Sequence, residues 1–201
     1  MRVHMLIKRS TAAGHTKVDE LFSAFDLAKR RSYVGFLRAN ARALLPLEQL
    51  LYDDFGPPWW APRGPLLHND LEALKSLGDL KFPARMCSGM SNHGSRFGAL
   101  YVLEGSRFGA AVLKGRVASS LPCEFLSAEA TPGCWPSFLS ALECAAAEHS
   151  PIWLDNVAMG ARIAFDLFAA SAIAELQLLE QPARRVETKM TTRLANDGGM
   201  V

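Results

Sequence analysis

The sequence predicts an all-α fold in a single domain. Apolar residues recur at helical spacing in segment after segment, and no alternating strand of useful length interrupts them. No internal repeat, low-complexity block or second core appears, and 201 residues can bury a sizeable core without staples. These observations place the chain among single-domain helical bundles of about seven helices.

The elements follow in order. Residues 8–31 carry Val18, Leu21, Phe22 and Phe25 on one stripe, with Gly14 as a local objection. A second helix starts near the N-capping Ser32 and shows Tyr33, Phe36, Leu37, Leu44, Leu47 and Leu51, with Pro46 expected to kink or interrupt it. FGPPWWAPRGP, residues 55–65, is too rich in proline for a helix or a central strand. Residues 66–77 form a short amphipathic helix, with Gly78 expected to stop it. Residues 81–94 read as irregular. A long helix runs from about Ser95 to Ser119, and a loop covers 120–134. Trp135-Pro136 opens a helix to about His149, and Pro151 opens a last long one that Pro182 ends. Residues 1–182 are therefore expected to fold as the helical domain, and 183–201 to form a polar tail.

Composition excludes several classes. Lysine and arginine number 22 against 20 acidic residues, a balance of +2 that gives no footprint for bulk nucleic-acid binding. No run of 18 apolar residues occurs, so no membrane span is expected, and the N-terminus lacks the apolar core of a signal peptide. A cytoplasmic protein is the default. Cys87, Cys123, Cys134 and Cys144 form no CxxC pair and no zinc spacing, and read as small buried hydrophobes. The tryptophans read as packing groups, and His4, His68, His93 and His149 as solvated or capping residues without a ligand pattern.

Two features carry chemistry. Gly105 and Gly109 sit four residues apart inside the long helix, on one face, and each costs about 1 kcal/mol against alanine. Something flat must lie on that bare strip. On spacing alone it is first a neighbouring helix, with a planar ligand as the alternative. The segment matches neither a phosphate loop nor a nucleophile elbow, and lacks the preceding strand of a dinucleotide fingerprint. The second feature is His15 with Asp19 one turn later. A carboxylate on one imidazole nitrogen fixes the tautomer and leaves the other nitrogen for a metal, although spacing alone favours a surface pair or a capped histidine. Thr11 and Lys8 precede His15 by one and two turns.

Together these motifs resemble the haem oxygenase family, in particular its bacterial biliverdin-producing branch. The resemblance rests on T-x-x-x-H-x-x-V-D (Thr11 to Asp19), D-L-x-x-R-x-x-Y-x-x-F-L (Asp26 to Leu37), D-L-x-x-L (Asp70 to Leu74), L-Y-V-L-E-G-S-R-F-G-A-A-V-L (Leu100 to Leu113) and W-x-x-F (Trp135, Phe138). It implies haem held between the first helix and the glycine helix, with His15 as the axial ligand of the iron. Asp19 would support His15, Lys8 would pair with a propionate, and Gly105 and Gly109 would let the distal backbone approach the dioxygen side of the haem. The implied reaction is oxidation of haem, as both cofactor and substrate, by dioxygen and an external reductant to biliverdin, carbon monoxide and ferrous iron. An electron donor such as ferredoxin or a flavin reductase is implied, and a bilin-binding photoreceptor is a compatible functional link.

The sequence departs from the family pattern at two places. Ser106 stands where animal members carry a water-organising aspartate, and a hydroxyl cannot buffer a proton as a carboxylate does. The late helix offers Leu139 and Glu143 where basic propionate partners are found, and Arg116 is the candidate substitute. A non-catalytic haem-binding or haem-delivery protein on the same fold, and a helical protein without haem, remain as alternative readings.

Overall fold

The computed structural model describes residues 3–52, 60–78, 80, 90–128 and 133–181. Among them are seven helices and no strand: α1 (Val3–Ser23), α2 (Arg30–Tyr52), α3 (Gly64–Ala73), α4 (His93–Lys114), α5 (Glu124–Ser127), α6 (Cys134–Glu148) and α7 (Pro151–Glu180). The central element is α7, which packs on α4, α2 and α1. Its Val157, Ala161, Ala164, Leu167 and Ala172 are fully buried. By length and hydropathy α7 would pass as a membrane span, but 56% of that apolar window is covered by the other helices. Its hydropathy is that of a core helix.

Small residues set how closely these helices approach. A Cβ on Gly94 would sit 2.7 Å from Trp153 O, one on Gly98 would collide with Val157 O, and one on Gly160 would collide with Ser95 O. The α4–α7 crossing is therefore a backbone-to-backbone contact in which three positions must be glycine. Gly14 plays a milder part on α1, where a Cβ would lie 3.1 Å from Phe165 Cβ on α7. This close approach accounts for the glycine that seemed out of place in an apolar stripe. At the start of α1, the Val3 backbone N–H donates to Glu143 Oε1 of α6 at 2.8 Å and fixes the helix end.

Buried carboxylates hold the connections. Glu48 on α2 accepts from Arg63 N (2.7 Å) and Gly64 N (2.8 Å), so its two oxygens cap the entrance of α3. Asp70, with no exposed surface, accepts from Glu124 N (2.9 Å) and Phe125 N (3.0 Å) and caps α5. Burial pushes both carboxyls above their ordinary range, and the backbone donors oppose it.

Several expected boundaries move. The first helix begins at Val3 and ends at Ser23 rather than spanning 8–31, because in the turn that follows Asp26 Oδ1 accepts from Ala28 N and Asp26 N–H donates to Ser32 Oγ. The second helix runs through Pro46 without a break. The third ends at Leu74, with Lys75 in the left-handed region (φ 52°), so Gly78 does not stop it. The glycine helix starts at Asn92, whose side chain accepts from Ser95 N, and stops at Lys114. The expected 120–134 loop contains α5. Cysteine burial holds only in part: Cys134 is buried, Cys123 half-buried and Cys144 exposed, while Cys87 lies outside the described residues. So does the polar tail from 183.

Candidate functional site

Between α1 and α4 lies a cavity of about 770 Å³. Its α1 wall follows one helical stripe: His4, Lys8, Thr11, His15 and Asp19 all line it. Thr11 is buried, and its hydroxyl donates back to Ile7 O at 2.8 Å. His15 Nδ1 meets Asp19 Oδ2 at 2.9 Å, and the imidazole edge packs on the Phe165 ring at 5.8 Å. With Nδ1–H given to the carboxylate, Nε2 keeps its lone pair. Both side chains remain 66% exposed, so the cavity mouth runs along them.

The facing wall is the second half of α4. Gly105 and Gly109 both line the cavity, and a Cβ on either would meet nothing within 4 Å among the described residues. This overturns the helix-seat reading of the pair. The close helix contact is made earlier on α4, at Gly94 and Gly98, which the periodicity did not single out. The bare strip at 105 and 109 is left facing open volume.

The cavity has two contrasting ends. At one end α4, α6 and α1 bring together Tyr101, Trp135, Phe108 and His4, with ring centroids 5.5–6.0 Å apart. At the other end stand Asn40, Arg63 and Ser106, among Phe36 and Phe125. Arg63 is only 4% exposed. Its Nη2 donates to Ser106 Oγ (2.6 Å) and to Leu103 O (3.2 Å), and its guanidinium lies 5.1 Å from the Phe125 ring centroid. No carboxylate pairs with it among the described residues. Burial, with Arg107 nearby, pulls its pKa down to about 10, and Glu48 and Glu104 oppose the fall. It stays a cation at neutral pH, facing a cavity.

The connector is placed by paired charges. Arg107 Nε holds Glu104 Oε1 at 2.8 Å, and its Nη2 reaches Ala61 O. Asn40 is buried, lines the cavity and donates its amide N–H to Phe36 O at 2.8 Å.

Of the residues selected from sequence, Lys8, His15, Asp19, Gly105, Ser106 and Gly109 converge on this cavity. Arg116 does not line it: it lies exposed in the turn after α4, near Asp26, whose carboxyl it helps keep low after Lys29 and Ala28 N. Glu143 is committed to the start of α1. Sequence reasoning missed Arg63, Asn40, Tyr101 and His4. Asn40 carried a signal, a polar side chain on the apolar face of α2. His4 shares the register of Lys8 and His15. Arg63 lay in a proline-rich connector where no periodicity could find it. His93 and His149 are exposed, as expected, and His149 caps α6 with its Nδ1 2.8 Å from Ala145 O; their rings also stack at 5.3 Å, and Trp153 Nε1–H donates to His93 Nδ1 at 3.1 Å.

This helical arrangement is the haem oxygenase fold. The chain superimposes on the haem oxygenase of Neisseria meningitidis, whose structures were solved with NO and CO bound, with a TM-score of 0.65 over 87% of this chain and 92% of that one. Sequence identity between the two is 20%, so the likeness is one of fold. No family model matches the chain, and no curated protein matches it in sequence.

Proposed function

We propose that the cavity binds haem and that the protein cleaves it oxidatively to biliverdin, carbon monoxide and ferrous iron, using dioxygen and electrons from an external donor. The observation that carries this reading is the pair of unobstructed glycines facing a histidine wall. An imidazole with one nitrogen held by Asp19 and the other available is the donor a haem iron takes as an axial ligand. A single imidazole cannot hold iron alone, whereas a macrocycle supplies four further nitrogens. The glycine strip accepts a flat aromatic surface that any side chain would displace.

Bound haem would supply the dioxygen-activating chemistry. The chain's own residues orient and hydrate it. Asp19 sets the tautomer of His15. Gly105 and Gly109 bring main chain against the macrocycle and exclude bulk water. Ser106, Arg63 and Asn40 offer a hydroxyl, a guanidinium and an amide, a set that orders water at the buried end. Proton delivery through such water is the task an aspartate performs in animal members. Lys8 stands at the exposed rim, suited to a carboxylate. A reductase or ferredoxin-type donor and a cytoplasmic setting complete the reading, as does a helical domain that ends near residue 182.

A second reading is favoured by one observation. Ser106 is tied to a buried cation rather than being a carboxylate, so a haem carrier without turnover is its natural competitor. Haemin titration of the purified protein should produce a Soret band that His15→Ala shifts or weakens. Reductant and air should then bleach that band and release a bilin. Haem binding with a lasting ferrous-oxygen spectrum and no bilin would establish the carrier. No spectral change on adding haemin would refute both readings.

A further inference from the structure

We propose that His4 is a specificity-determining contact for a propionate, adding a donor on α1 to the edge of the cavity where Lys8 and Tyr101 stand. The inference rests on the haem reading above and deepens it.

A haem presents two carboxylates on one side of its ring, and each needs a donor where it meets protein. Besides the His15–Asp19 pair, three groups lining the cavity among the described residues can carry positive charge: His4, Lys8 and Arg63. Arg63 is sequestered at the buried end, bonded to Ser106 and Leu103. That leaves the α1 stripe, where His4 lies one turn before Lys8 on the same face. The His4 ring is oriented by its neighbours, edge-on to Trp135 of α6 (5.9 Å, 87°) and tilted against Tyr101 of α4 (6.0 Å, 48°). Among the described residues no hydrogen bond engages either ring nitrogen or the Tyr101 hydroxyl, and both side chains are half-buried on the cavity wall. A polar ring held by aromatic contacts alone, beside an ammonium group, has its N–H available to an anion.

The α6 side offers no competing cation, only the Trp135 indole N–H. Glu143 is spent on the Val3 N–H, and Leu139 is apolar. On this chain the cations that can meet a propionate stand on the first helix, Lys8 with His4 one turn before it. Since α1 also holds His15, one rigid helix would set both the axial ligand and the in-plane rotation of the macrocycle. Rotation decides which meso carbon meets the distal strip, so His4 bears on the bilin isomer.

The test compares haem with haem dimethyl ester, whose propionates cannot ionise, by Soret titration of wild type, His4→Phe and His4→Gln. The Phe variant keeps the ring packing and removes the N–H. It should bind haem five- to tenfold more weakly and the diester within twofold of wild type. The Gln variant, which keeps a donor, should retain most of the preference for haem. His4→Leu gives the same comparison if the Phe variant misfolds. Proton NMR of the ferric complexes should show haem methyl resonances of additional in-plane orientations in His4→Phe only. Equal loss for both ligands would mean that His4 serves packing alone and would overturn the proposal. So would unchanged haem affinity in a wild type that does bind haem. A wild type that binds neither ligand refutes the haem reading itself.

Discussion

Replacing Gly105 and Gly109 by alanine should stabilise the empty protein while weakening the ligand complex. An interior glycine costs a helix about 1 kcal/mol relative to alanine, and an added Cβ at either position meets no atom of the described residues within 4 Å. Each substitution therefore recovers about 0.5–1 kcal/mol with no steric penalty. In a chain of this size each kilocalorie raises Tm by about 2–4 °C, so the double variant should melt about 2–8 °C higher. The same two methyl groups project into the slot and hold a planar ligand away from the main chain. Haemin affinity should fall at least tenfold, and Gly109→Leu should abolish binding. Gly98→Ala and Gly160→Ala supply the contrast, since their Cβ atoms would strike Val157 O and Ser95 O. Overpacking there costs about 1–3 kcal/mol or more and should lower Tm. Thermal melts by circular dichroism and a haemin titration on the same samples decide the matter. If Gly105→Ala and Gly109→Ala destabilise the apo protein, or leave haemin affinity intact, the strip is not a ligand surface.

Glu48→Gln keeps only one acceptor for the two backbone donors of Arg63 and Gly64; it should cost about 1–3 kcal/mol in urea unfolding. Arg63→Leu removes a buried cation that has no carboxylate partner among the described residues, so apo stability should change by no more than about 1 kcal/mol, whereas bilin formation should fall tenfold or more in a single-turnover assay. Burial holds His93 below its usual 6.5, so the unfolded chain takes up the proton first. Stability should fall as pH drops through 6.5 until folded His93 itself protonates, and His93→Gln should flatten that slope in pH-dependent melts. Glu48 and Asp70 act in the opposite sense: their raised carboxyls cost stability at neutral pH, and acid relieves that cost until the unfolded carboxyls are protonated as well.

Local periodicity was enough to place α2, α6 and α7, because their apolar stripes are long and face a shared core. It failed where a boundary depends on a partner far along the chain. The start of α1 is fixed by Glu143, and α5 exists because Asp70 supplies a cap from 54 residues away. The same division runs through the site. Residues on α1 and α4 share a register, so His15, Asp19, Lys8 and the glycines could be read together. Arg63 reaches the cavity through a connector whose course is set by Glu48 and by Arg107 on Ala61 O, and no spacing encodes that. Exposure of Cys144 and the stacking of His93 on His149 are likewise products of tertiary packing.

The glycines of α4 explain why a cavity exists at all. Positions 94, 98, 105 and 109 fall within about 60° of one another at 100° per residue, so they form one stripe along the helix. Over its first half the stripe is filled by the α7 backbone at Gly160. Over its second half none of the described residues fills it, although the surface and its helical cost are the same. A helix bearing such a stripe would ordinarily draw its neighbour in along the whole length. Here Phe165 and Phe168 of α7 line the cavity beyond the crossing. On the other flank Arg63 and Arg107 pin α4 to the connector. The seam is held open by side chains packed for other reasons. A flat ligand facing His15 would take the place that the α7 backbone occupies over the first half of α4, and its contacts would offset the helical cost of Gly105 and Gly109.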